Sequence, residues 1–272
     1  MRSKPGVFGQ FVNRRMRLSG GAAPAPAFTP SDLFGSDDYG DWWDFRTADG
    51  LFIADDGETD PVGENDPVGS AVGRRGSLTV INSDTSTKPL WTGVNLRAEN
   101  NFSVKRLITP EYSARSVGSS GVSVFIIHSR AGGGSYSQTT ASAGFSSSAA
   151  SFSLTGTSAL CVSRGTWLDG AVAIVRGGSE SQLFTGTVTP DERWAAVTWD
   201  GVSANAKQYA QNNLPQTFAT GSSVDAHRQV GLGLAGRGSA GYPRFKGLVF
   251  IEKELSEDEI AKLAEFYMGG SE

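Results

Sequence analysis

The sequence predicts an all-β protein: a two-sheet sandwich with one short C-terminal helix and an extended N-terminal arm. Three observations lead there. Strand-like runs alternate with Gly, Ser and Asn clusters from Gly76 onward. Gly reaches 35 of 272 residues, which suits many short strands joined by turns. Helical periodicity with both a start and a stop occurs in one convincing place, next to the C-terminus. About ten to twelve strands and one terminal helix fit two packed sheets, and a β-sandwich of this length is accommodated as a single domain.

The arm comes first. Residues 1–18 mix Arg2, Lys4, Arg14, Arg15 and Arg17 with Val7, Phe8, Phe11, Val12, Met16 and Leu18. Phe8, Phe11, Val12 and Met16 would share one face of a short helix, with the arginines beside it. Such an arm suits docking on a partner, which makes Phe8, Phe11, Arg14, Arg15 and Arg17 the candidate partner-binding residues; the competing reading is a solvated tail. Residues 20–30, rich in Pro and Ala, can form neither ladder nor helix, because each proline removes a donor and fixes φ. The expected division is therefore an arm and linker over residues 1–30 and a sandwich over 31–272.

Charge follows the same division. The formal net charge is −4, without a nucleic-acid signature. The arm carries five cations before the first acidic residue, Asp32, leaving 19 basic against 28 acidic residues, or −9, for the body. Residues 32–66 hold twelve acidic side chains against one basic, Arg46. Inside that stretch, Asp60-Pro61-Val62-Gly63 is followed by Asp66-Pro67-Val68-Gly69, each an Asp-Pro turn start with a Gly exit. Clustered carboxylates suit calcium, but residues 55–60 do not fit the EF-hand spacing, and solvated acidic loops are the commoner case. No cofactor is expected. No apolar run approaches the roughly 18 residues needed to span a bilayer, and residues 1–20 do not resemble a signal peptide.

Within the sandwich, residues 39–45 read as the first strand. Further strands are expected at 78–81, 102–107, 122–128, 152–154, 159–162, 171–175, 182–188, 194–199, 206–211 and 230–234. Residues 132–153 are so rich in Gly and Ser that long surface loops are expected. The closing pair is a strand over 245–251 and then a helix. Ser256 is its N-cap with Glu259 three residues on, Glu257 and Asp258 lie at the positive end of the dipole, and Gly269-Gly270 stops it. Ile260, Leu263, Ala264, Phe266 and Tyr267 make its apolar stripe, expected to cover one edge or end of the sheets.

Several motifs tempt without carrying chemistry. Gly231-Leu232-Gly233-Leu234-Ala235-Gly236 matches the dinucleotide glycine pattern, but it runs into a Gly- and Pro-containing stretch that cannot open a helix, so a strand with its exit loop is the better reading. His128 and His227 lack further ligands at metal spacing. Cys161 has no disulfide partner and reads as a small core residue. No nucleophile elbow is present and no Glu-x-Asp-x-x-Glu strand appears, so enzymatic activity is not expected.

The segments Trp194-Ala195-Ala196-Val197-Thr198-Trp199-Asp200-Gly201, Lys207-Gln208-Tyr209-Ala210-Gln211-Asn212, and Phe245 to Ile251 with Leu255-Ser256-Glu257-Asp258-Glu259-Ile260 together resemble the concanavalin A-like, laminin-G-like sandwich. The trio implies a concanavalin A-like jelly-roll. The front end, Asp41-Trp42-Trp43-Asp44-Phe45 with Leu51-Phe52, Pro61-Val62 and Asp66-Pro67-Val68-Gly69, is similar to a segment of tailed-phage and prophage proteins that bear this sandwich. Arg74-Arg75-Gly76-Ser77 replaces that family's following turn. The resemblance implies a virion surface protein, such as a capsid decoration, head fibre or tail-tip component. Residues 1–30 would hold it to other virion proteins, and its sandwich, displayed as a homo-oligomer, would touch host polysaccharide. Trp91, Trp167 and Tyr242 are the candidate glycan-stacking residues; a stand-alone lectin is the alternative, with a glycan hydrolase ranked below it.

Overall fold

The computed structural model describes residues 27–82, 88–97, 104–110, 115–116, 121–131, 137–146, 159–164, 172–176, 179–184, 192–201, 205–211, 214–219, 226–227, 229–237 and 242–269. The expected arm through residue 26 and the expected strand at 152–154 lie outside them.

In chain order the elements are a 3-10 turn η1 (Pro30–Leu33), then β1 (Gly40–Asp44), β2 (Leu51–Phe52), β3 (Ser70–Val72), β4 (Thr79–Ile81), β5 (Leu90–Trp91), β6 (Leu96–Arg97), β7 (Val104–Ile108), β8 (Arg115–Ser116), β9 (Val122–Ala131) and β10 (Ser137–Ser146). They continue with β11 (Ala159–Arg164), β12 (Val172–Arg176), β13 (Ser179–Phe184), β14 (Arg193–Trp199), β15 (Asn205–Ala210), β16 (Gln216–Ala219), β17 (Ala226–His227), β18 (Gln229–Arg237), β19 (Tyr242–Ile251) and the helix α1 (Glu257–Met268). One sheet has the order β16-β15-β14-β9-β19-β6-β5, and the other β13-β12-β11-β10-β18-β7-β4-β3-β2. β8 and β17 pair separately as a two-stranded ribbon. β1 takes β19 from Gly247 to Ile251, while β6 takes it at Arg244 and Phe245, so the two share one side of β19 end to end.

Strand alternation explains the two hydrophobic clusters. On β9, Val124 and Ile126 point between the sheets, as do Ala195 and Val197 of β14 and Leu248 and Phe250 of β19. They meet Leu51, Ala71, Val80, Leu107 and Val230 of the opposite sheet. The intervening Phe125, Ile127, Ala196, Val249 and Ile251 face outward and are covered by Ile260, Leu263 and Tyr267 of α1. These three helical side chains are at most 1% exposed, so each contributes about 1.5 to 3 kcal/mol of burial. The helix therefore lies across a sheet face, rather than on the edge or end its stripe suggested. Strands apolar on both sides need a cover on both sides. Gly247 admits the helix, since a Cβ there would run into the Tyr267 ring.

Local chemistry at the helix start follows the sequence. Ser256 accepts from the Glu259 amide at 3.3 Å, and its own amide donates to Glu259 Oε2 at 2.8 Å.

Residues 132–153 depart from the expectation of loops. β10 occupies ten of them, flanked by β11 on one side and β18 on the other. A strand paired along both sides draws its stability from two ladders of backbone hydrogen bonds, which overrides the weak strand preference of its Ser, Ala and Gly residues. Residues 231–236 lie within β18, as a strand reading of the glycines requires. Cys161 lies on β11 and His227 on β17, with their side chains outside the described residues. His128 is 4% exposed, opposite Arg193 and Phe245.

Candidate functional site

The acidic stretch is largely consumed by its own turns. Asp32 accepts from the Thr29 amide at 2.7 Å, Asp38 from Gly35 at 2.8 Å and Asp66 from Gly63 at 2.9 Å. Asp41 is fully buried and accepts the amides of Trp42, Arg75, Ser77 and Leu78 at 2.8 to 3.0 Å. Asp56 accepts the Thr59 hydroxyl and then the Thr59 and Glu58 amides, which hold its pKa down at about 2. Val62 and Val68 of the repeated Asp-Pro-Val-Gly unit both enter the core, at 5% and 0% exposure. The repeat thus secures two loops to the sandwich. Among the described residues no group of three or more His, Cys, Asp or Glu is placed to hold a metal ion, and no helix is long and apolar enough to cross a membrane.

Of the residues singled out in the sequence, Phe8, Phe11, Arg14, Arg15, Arg17 and Trp167 lie outside the described residues. Tyr242 opens β19, with its side chain outside them too. Trp91 is half-buried on β5, packs against the core, and donates its indole N–H to the Phe45 carbonyl at 2.9 Å. Of these side chains, Trp91 is the one the structure describes.

It assembles a different group, on the outer face of the β9–β19–β6 sheet, past the C-terminal end of α1. Arg46 grips Asp44 through Nε and Nη2, at 2.9 and 2.8 Å, and donates from Nη1 to the Phe266 carbonyl at 2.9 Å. Its guanidinium lies 4.6 Å from the Phe266 ring centroid and 5.1 Å from that of Tyr267. The Asp44 hydrogen bond is the main reason the Arg46 pKa is raised. The last turn of α1 contains no basic residue, so Arg46 supplies from a loop the cation that a helix C-terminus favours. Alongside, Lys246 pairs with Glu192. Lys246 is the extra residue of a bulge in β19, where the pairing with β9 steps from Phe245 to Gly247.

Two positions before Lys246 on β19 stands a polar row. Arg244 is paired with Ser129 of β9 on one side and with Arg97 of β6 on the other. Phe245 and Leu96 are fully buried between the sheets, so alternation puts Arg244 and Arg97 on the face that carries the helix. Ser129, following the inward His128, lies there as well. Arg244 Nε is buried and makes no hydrogen bond. Arg97 is held by contacts of its own. Trp194, half-buried and stacked on Phe125 at 6.0 Å, completes the outer surface two strands away.

Sequence reasoning missed this group. The available signal is a cation next to a core residue in both Leu96-Arg97 and Arg244-Phe245. Which strands they occupy and in what register is a tertiary fact.

No family model matches the chain, and no curated protein matches it. Among solved structures, a Trypanosoma rangeli sialidase in complex with 2,3-difluoro-KDN matches over 92% of this chain and 37% of its own, at 10% identity and a TM-score of 0.54. The same sialidase with sialic acid matches over 84% and 37%, at 10% identity and a TM-score of 0.52. The metal-free carbohydrate recognition domain of Emp46p matches over 69% and 88%, at 12% identity and a TM-score of 0.42. The chain thus spans 37% of the length of those sialidase chains. At such identities the likeness is one of fold. The chain is an all-β, two-sheet sandwich with a short C-terminal helix.

Proposed function

We propose that this chain is a surface protein of a phage-like particle, held by residues 1–30 to other virion proteins and presenting its sandwich, in several copies, to glycan on the host. The role is binding, not turnover. The observation that carries the reading is that the segment resembling tailed-phage proteins forms part of the sandwich framework. Trp43, Val62 and Val68 belong to the main core, and Trp42 lies under the helix with its indole N–H on the Ser31 hydroxyl at 3.1 Å. Phe28, at the end of the Pro/Ala linker, packs against that same outer cluster. This supports an arm that leaves a preformed body, and sandwiches of this fold occur in proteins solved with sugars, the sialidase with sialic acid among them. Many copies on one particle would make weak sugar contacts sufficient.

Deletion of residues 1–30 tests the anchoring. The truncated chain is expected to keep its glycan-array profile but to be missing from purified particles. Incorporation at the full-length level would overturn the virion-anchor reading, and a blank glycan array for the full chain would overturn the glycan reading.

A further inference from the structure

We infer that residues 7–18 dock on the flank of α1 in their own chain, beside the segment 28–34, so that the arm has a resting place on the body before any virion partner takes it. This goes beyond the anchoring reading, which concerns where the arm ends up. The chain enters the sandwich at that flank. Ala27 is the first described residue, and Phe28 packs against the outer cluster that holds Ile260, Leu263 and Tyr267. η1 lies against α1, and Trp42 joins the two, with its indole N–H on Ser31 and its ring edge-on to Phe266 at 5.8 Å. Everything ahead of Ala27 therefore leaves the body beside the helix.

The surface there complements the arm in both chemistry and charge. Phe28, Phe34, Ala264, Phe266 and Met268 are half-buried, each with apolar surface left over once the cluster is packed. Phe8, Phe11, Val12 and Met16 offer an apolar face to cover it. On α1, Glu259 is engaged by Lys253, but Glu257, Asp258 and Glu265 are exposed and make no ion pair among the described residues, against the one cation Lys262. Arg14, Arg15 and Arg17 supply the opposite charge.

Length fits as well. A helix over 7–18, as the apolar spacing predicts, would be about 18 Å long, the same as the 12-residue α1. Residues 22–27, which Pro24 and Pro26 bias toward an extended form, would cover about 19 Å, one helix length. Gly20-Gly21 then allows the chain to reverse at little steric cost, which returns the arm along the helix. Because the arm is tethered to the surface it meets, weak contacts suffice.

Limited trypsin digestion of the full chain tests this, with cleavage after Arg14, Arg15 and Arg17 followed by mass spectrometry and a synthetic peptide of residues 1–30 in the same buffer as the unprotected reference. Cleavage in the full chain is expected to be about tenfold slower than in the peptide, because trypsin cuts the undocked form. Phe11→Ser in the arm and Glu265→Lys on the helix should each recover most of the peptide rate, as should salt at about 0.5 M. Glu265→Lys places a cation in the last turn of α1, where a helix favours one, so the variant keeps its fold. Cleavage of the native chain at the peptide rate would leave the arm undocked, and protection unchanged in both variants would put it elsewhere. Protection that grows with protein concentration would assign the flank to the arm of a second copy. Each of these three results overturns the inference, and none touches the virion-anchor reading, which particle incorporation decides.

Discussion

The Tyr267 hydroxyl donates to the Trp43 carbonyl oxygen at 3.0 Å, tying the last turn of α1 to the first strand across 224 positions of sequence. The ring lies above Gly247 and stacks on Phe125 at 6.0 Å. One side chain thus joins helix, β1, β9 and β19, the elements that define the outer face.

Tyr267→Phe should cost about 1 to 3 kcal/mol, since it leaves the Trp43 carbonyl buried without its donor while keeping the ring. Burial raises the Tyr267 pKa well above its ordinary value, with the Asp44 charge adding to the effect. A raised folded-state pKa contributes stability that is complete below the unfolded value of about 10 and is lost as pH climbs above it toward the folded value. Denaturation midpoints should therefore fall above about pH 10 in the native protein and fall less steeply in Tyr267→Phe; parallel profiles would show that this phenol is not the group responsible.

Asp41 is the acceptor for four backbone amides from two segments, while the Trp42 and Gly73 carbonyls take the amides of Arg74 and Gly76. Asp41→Ala should cost about 3 to 5 kcal/mol by leaving several N–H groups unmatched. Asp41→Asn should cost about 2 kcal/mol or more, because its amide turns an NH2 toward two donors. Chemical denaturation measures both, and a loss below about 1 kcal/mol in the alanine variant would mean water replaces the carboxylate.

Asp56 owes its lowered pKa first to the Thr59 hydroxyl. A depressed folded-state value contributes stability that is present above the unfolded pKa, near 4, and lost as pH falls through about 2. Thr59→Val should raise the Asp56 pKa toward 3.8, observable in an NMR titration of its carboxyl carbon. An unchanged titration would assign the shift to the backbone amides instead.

Much of this fold is readable in residues that act locally. Ser256 and Glu259 mark a helix start because both hydrogen bonds are made within four residues, and the 3.6-residue spacing of Ile260, Leu263 and Tyr267 declares a buried face. The strands around Val124, Val197 and Phe250 show as apolar runs bounded by turns. β10 is not readable in this way, since its small side chains say little and the partners that make it a strand are far away in sequence. Trp91 illustrates the same limit: composition marks it as a candidate for stacking on sugar, but the Phe45 carbonyl and the core claim it.

The sequence by itself determined the all-β class and the closing strand and helix, whose cap and apolar stripe depend on neighbours a few positions apart. Only the tertiary structure decided that the helix covers a face, because that requires Gly247 beneath Tyr267. It alone set Arg244 between Ser129 and Arg97. Cross-strand register is fixed by the packing of Phe245 and Leu96 into the shared core, and that packing determines which charges meet on the other side.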